Sequence, residues 1–137
     1  MNVWRSTGLV RYDPKSERSS FKPFWVILKC DKEIVRYYQH IFYKLYWKKL
    51  QTAVWSSHCS IVRGEKPLKP ENWKLYNGKE IEFNYYYDGV FNTNSDNGGK
   101  HFWLKVSSPD FKRIRESLGL SPEPRVPYHI SIGSINK

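Results

Sequence analysis

Two short phrases in this sequence, His58-Cys59-Ser60-Ile61 and His129-Ile130-Ser131-Ile132, each set a histidine two residues before a serine inside an apolar, β-like run. Side chains two apart on a strand point to the same face. Each histidine therefore looks out beside its serine, while Cys59, Ile61, Ile130 and Ile132 point to the opposite face and into a core. An imidazole titrates near about pH 6.5, so one ring can take a proton from an attacking hydroxyl while a second, protonated ring gives one to a leaving oxygen. Neither role requires a metal. Serine hydroxyls can donate hydrogen bonds to the non-bridging oxygens of a phosphate, where negative charge must be held in the transition state. If the two strands lie side by side, His58, Ser60, His129 and Ser131 face one groove suited to a phosphodiester, and these four are the expected catalytic residues.

Other chemistries lack their signatures. There is no His-x-x-x-His or Cys-x-x-Cys cluster, and the two histidine phrases lie too far apart for a local zinc site, so neither metal nor cofactor is expected. The strained Gly-x-Ser-x-Gly turn of serine hydrolases and the Gly-x-x-x-x-Gly-Lys phosphate loop are absent as well. His40 beside Ile41 and His101 at the start of a strand read as structural or exposed.

The elements that must position the four groups come in a repeated order. Phe24-Trp25-Val26-Ile27-Leu28 reads as a buried strand. A helix should follow: Asp31 can cap it, Glu33 favours its positive end, Lys48 and Lys49 close it, and Ile34, Tyr38, Ile41 and Leu45 recur as one buried face. The first histidine strand spans roughly 57–63 and runs into a loop with Pro67 and Pro70. In the second half, His101-Phe102-Trp103-Leu104-Lys105-Val106 reads as a strand, Ser108 caps a helix with Pro109 at its first position, and Phe111, Ile114 and Leu118 trace its buried face. Gly119 stops that helix before the second histidine strand, roughly 127–133. FWVILK against HFWLKV, helix against helix and HCSI against HISI make a two-unit internal repeat. Between the units, residues 79–87 alternate like a half-exposed strand, and 88–99 reads as a long mobile loop. The N-terminal stretch reads as polar and irregular.

A chain of 137 residues suits a single domain, 1–137, with lobes at approximately 20–75 and 79–137. No long apolar run or signal-peptide pattern occurs, so no membrane partner and a cytoplasmic location are expected. Cys30 and Cys59 read as buried thiols of a reducing compartment. The balance of 23 Lys and Arg against 13 Asp and Glu, net +10, with 17% aromatic residues, points to an anionic partner that stacks, such as a nucleotide or a single strand.

The two H-x-S-apolar phrases in two β-α lobes resemble the 2H phosphoesterase superfamily. HCSIVRGEKP with Trp73 shortly after it, the strand holding Tyr85 to Tyr87, and IRESLGL before YHISIG are most similar to the phage anti-CBASS nucleases. The resemblance implies an α+β fold in which two pseudo-symmetric β-α-β lobes form a largely antiparallel sheet with a central groove. It implies metal-independent hydrolysis of the cyclic di- and trinucleotides of bacterial defence, in the host cytoplasm if the chain is phage-encoded. It assigns acid–base catalysis to His58 and His129 and phosphate contacts to Ser60 and Ser131, where many members have threonine. Tyr12 and Trp73 are candidates for holding bases and Arg63 for reaching a phosphate, with the 88–99 loop as a possible cover. Two alternatives share these features: a 2H enzyme acting on RNA ends or 2′-5′ oligoadenylates, and a non-catalytic module that sequesters a nucleotide or binds single-stranded nucleic acid.

Overall fold

The strands of both halves join one sheet. The computed structural model describes residues 3–14, 23–51, 57–96 and 99–136. In chain order these form β1 (Val3–Tyr12), β2 (Trp25–Lys29), α1 (Lys32–Tyr46), β3 (His58–Arg63), a 3-10 turn (Pro70–Asn72), β4 (Glu80–Tyr86), β5 (Asn92–Asp96), β6 (Gly99–Ser107), α2 (Pro109–Ser117) and β7 (His129–Asn136). The fold is α+β, with a seven-stranded sheet ordered β4-β1-β2-β3-β7-β6-β5. Every strand pairing is antiparallel. One edge of β6 is shared between β5, along Gly99 to Trp103, and β4, along Lys105 to Ser107. The β4–β6 pairing closes six strands into a ring.

Two segments differ from their sequence-based reading. The N-terminal stretch is the ten-residue strand β1, held between β2 and β4. The 88–99 segment contains β5, a hairpin partner of β6, in place of a continuous loop.

Both helices start as their caps dictate. The Asp31 carboxylate accepts from the Glu33 backbone N–H at 2.9 Å, and the Ser108 hydroxyl accepts from that of Asp110 at 3.3 Å with Pro109 behind it. Phe111, Ile114 and Leu118 are buried, and Gly119 has a φ of +76° just past the helix end, where glycine meets no steric penalty. The buried face of α1 is Ile34, Tyr38 and Phe42; Leu45, expected there, is 51% exposed. From Tyr43 onward the helix runs past the layer it packs on, and every residue to Lys49 is exposed.

Pairing across the sheet aligns Val10, Leu28, Cys59, Ile130 and Leu104 in one row on five neighbouring strands. All five are 0% exposed, and burying each of the four aliphatic side chains contributes about 1.5–3 kcal/mol. Burial pushes the Cys30 thiol up to about 12 and Cys59 well above the ordinary thiol value, so both stay protonated in the core.

The two histidine strands meet their partners in the same register. Lys29 faces His58 and Leu28 faces Cys59; Lys105 faces His129 and Leu104 faces Ile130. Ile27, not Trp25, therefore holds the place that Trp103 holds in the other pair. Each pair then slips by one residue, leaving Ile61 and Ile132 as the extra residue of a bulge. A bulge frees a backbone carbonyl from the ladder, and a helix side chain satisfies each one. Arg115 of α2 donates to the Ile61 carbonyl at 3.0 Å, and Gln39 of α1 donates to the Ile132 carbonyl at 2.9 Å. Each helix thus braces the histidine strand of the other half.

Candidate active site

Strands β3 and β7 pair through Cys59 and Ile130, whose side chains go into the core. Their neighbours turn the other way: His58, Ser60 and His129 are half-buried and Ser131 is exposed. In the antiparallel register this pair sets, His58 lies across from Ser131 and His129 across from Ser60. The two histidines are then diagonal neighbours, about 7–8 Å apart at the backbone. All four expected catalytic side chains share this outward face.

Each histidine is supported from the adjoining strand. The Trp25 ring meets His58 edge-on at 5.8 Å, and the Trp103 ring meets His129 at 5.5 Å. The His129 Nδ1 lies 2.8 Å from the Pro127 carbonyl. A carbonyl only accepts, so Nδ1 carries a hydrogen in either protonation state, and Nε2 is the atom that exchanges a proton with a ligand. The Trp25 Nε1–H donates to the Ser60 Oγ at 3.0 Å. Because indole is only a donor, this bond occupies a lone pair of Oγ and leaves the serine O–H to donate onward. Trp103 is fixed in turn by donating to the Asn94 side chain of β5 at 3.0 Å.

Beside Ser60 and His129 lies a pocket of about 310 Å³, whose polar lining includes Arg63, Glu65 and Arg125. That volume is at the lower end of the range for small-molecule sites. Glu65 is held by Arg115, whose guanidinium is 1% exposed and makes two bonds to the carboxylate, at 2.8 and 2.7 Å. Its Nε donates to the Ser121 carbonyl at 2.6 Å, so one cation ties the end of β3, α2 and the segment leading to β7. The hydrogen bonds from Arg115, with Arg115 and Arg125 nearby as charges, hold the Glu65 carboxyl below its ordinary value despite partial burial.

Of the residues expected to bind substrate, Arg63 is exposed on the pocket wall with Ser60 and His129. Tyr12 and Trp73 lie together, rings edge-on at 5.2 Å, with Tyr12 5% exposed. The Trp73 Nε1–H donates to Asp13 at 2.9 Å, and the Tyr12 hydroxyl accepts from the Tyr76 backbone N–H at 3.3 Å. Neither lines the pocket beside His129.

Sequence reasoning missed several residues here. Trp25 and Trp103 read only as strand formers, and Lys29 and Lys105, both exposed and directly opposite the histidines, read only as strand ends. Their recurrence, a tryptophan and then a lysine on the strand that precedes each histidine phrase, was the available signal, although the spacings differ. Arg115 had none beyond its place amid the apolar face of a helix. Among the described residues, no group of three or more His, Cys, Asp and Glu side chains is placed to hold a metal ion. No described helix is long and apolar enough to cross a membrane.

Compared with family models, curated proteins and solved structures, the chain gives no match in any of the three.

Proposed function

We propose that this chain is a phosphodiesterase of the 2H type that opens small cyclic oligonucleotides at 3′-5′ linkages without a metal. The observation that carries the reading is the outward face around the Cys59–Ile130 pair, where the antiparallel register sets two histidine–serine pairs diagonally across from one another. The equal registers and equal bulges of the two strand pairs support an origin as two related lobes. The resemblance to anti-CBASS nucleases supplies the substrate class, the cyclic signals of bacterial defence, and the role, evasion of that defence.

In this reaction one imidazole removes the proton of a ribose 2′-hydroxyl as its oxygen attacks the adjacent phosphorus. The other imidazole protonates the departing 5′-oxygen. The product ends in a 2′,3′-cyclic phosphate, which water opens to a 3′-phosphate with the two rings exchanging roles. His129 acts through Nε2, since Nδ1 is engaged by Pro127. The Ser60 hydroxyl, anchored by Trp25, and the Ser131 hydroxyl donate to the non-bridging oxygens as charge develops there. Lys29 and Lys105 face the histidines and favour an anionic substrate in the groove.

The test is chromatography of cyclic di- and trinucleotides after incubation with the protein in excess EDTA. The native chain should give linear products, and His58→Ala and His129→Ala should each lower the rate by about 10²–10⁴-fold. Cleavage that survives both substitutions sinks the reading. If cyclic nucleotides stay intact while 2′,3′-cyclic RNA ends are opened, the chemistry holds and the substrate class changes.

A further inference from the structure

The far side of the sheet carries a surface that chemistry at the histidines does not use. Beyond its packed turns, α1 is exposed throughout Tyr43 to Lys49. Tyr43, Tyr46 and Trp47 show 45%, 49% and 79% of their surface to solvent. Lys44, Lys48 and Lys49 interleave with them, and the sequence has no acidic residue between Glu33 and Glu65. Trp47 caps the helix in the left-handed region, φ 59°, where glycine is the ordinary choice and a bulky side chain is disfavoured.

A groove of about 820 Å³ adjoins this helix end. Tyr46 and Phe102 supply aromatic surface to it over a floor of Phe42 and Phe91, Lys48 and Lys100 supply positive charge, and among the described residues no acidic side chain lines it. The packed face of α1, Ile34, Tyr38 and Phe42, belongs to the core that Cys59 and Ile130 enter. The histidines point the opposite way, so the helix end and the candidate active site lie on opposite sides of the sheet.

Exposed aromatic faces spaced by lysines, without acids, match the two repeating parts of an unpaired strand: bases that stack and phosphates that need cations. A duplex keeps its base faces covered, and a flat bilayer would meet the convex helix end but not the concave groove. We infer that the C-terminal end of α1 and its groove bind single-stranded nucleic acid, independently of the histidine groove.

The probe is a fluorescently labelled twelve-nucleotide oligo(dT) or oligo(U), titrated with the full chain in EDTA and followed by anisotropy. The background is His58→Ala,His129→Ala, which prevents cleavage. Four lysines, Lys44, Lys48, Lys49 and Lys100, predict a slope of log affinity against log salt of about −3. Trp47→Ala should weaken binding about five- to a hundredfold through lost stacking. Lys48→Glu,Lys49→Glu should weaken it at least as much, whereas Lys74→Glu,Lys112→Glu, an equal charge change on exposed residues elsewhere, should have a smaller effect. The two oligomers distinguish DNA from RNA as the source. The inference is overturned if neither oligomer binds, or if the helix-end variants bind as well as the control. It is overturned too if the same substitutions abolish binding to anionic phospholipid vesicles or self-association and leave oligomer binding intact. Cleavage of cyclic nucleotides by Trp47→Ala in the native-histidine chain is read separately, so failure here and failure of the proposed activity are distinguishable.

Discussion

At the scale of single residues, the candidate site depends on groups that present the reacting atoms. Trp25 fixes the Ser60 oxygen through one hydrogen bond, so Trp25→Phe, which keeps the ring and removes the donor, should lower kcat about tenfold with little change in KM. Ser60→Ala should cost about 10²–10³-fold. If Trp25 acts through Ser60, the double variant is no slower than Ser60→Ala, and additive losses would refute that role. Tyr128, next to His129, offers a contrast. Its hydroxyl is buried without a hydrogen-bond partner among the described residues, and burial pushes its pKa up to about 12. Tyr128→Phe should therefore leave cleavage intact and raise stability by up to about 1 kcal/mol in urea denaturation.

At the scale of elements, the Arg115–Glu65 pair joins α2 to the end of the first histidine strand. Arg115→Met leaves a carboxylate and two backbone carbonyls without their cation and should cost about 3–5 kcal/mol. The Glu65 carboxyl titrates lower in the folded chain than its unfolded value of about 4.3. Its contribution is complete above that unfolded value and is lost as pH falls through the folded one. Acid should lower the urea midpoint more steeply in the native chain than in Glu65→Gln, and parallel curves would contradict the assignment. This brace was illegible in the sequence because its partners are far apart in the chain and a buried arginine looks like any other. The helix caps and the histidine strands were legible, since Asp31, Ser108, Pro109 and the alternation around His58 and His129 act through near neighbours. β1 escaped notice because one of its buried positions is Gly8: a Cβ there would lie 2.7 Å from the Lys29 carbonyl, so the place where alternation would show an apolar residue must hold none. β5 escaped because Asn92 to Ser95 are all exposed, and a strand held only by its hairpin partner leaves no apolar signal.

At the scale of the whole molecule, a closed ring of strands carries the histidine face on one side while the buried residues of both helices join the core on the other. The chain as a whole carries a net charge of +10. Anionic ligands should therefore reach either side of the sheet at rates that fall with added salt. A salt series of cleavage rates should show kcat/KM declining several-fold between low and physiological ionic strength, with kcat nearly constant.

The crossed bracing of the bulges has a consequence for how the chain can be divided. Gln39 steadies the strand of His129, and Arg115 steadies the strand of His58. Cutting the exposed turn between the 3-10 segment and β4 would separate each strand from the helix that holds it. Neither piece is then a self-sufficient module, and a groove with both histidines returns only when the complementary fragments reassemble.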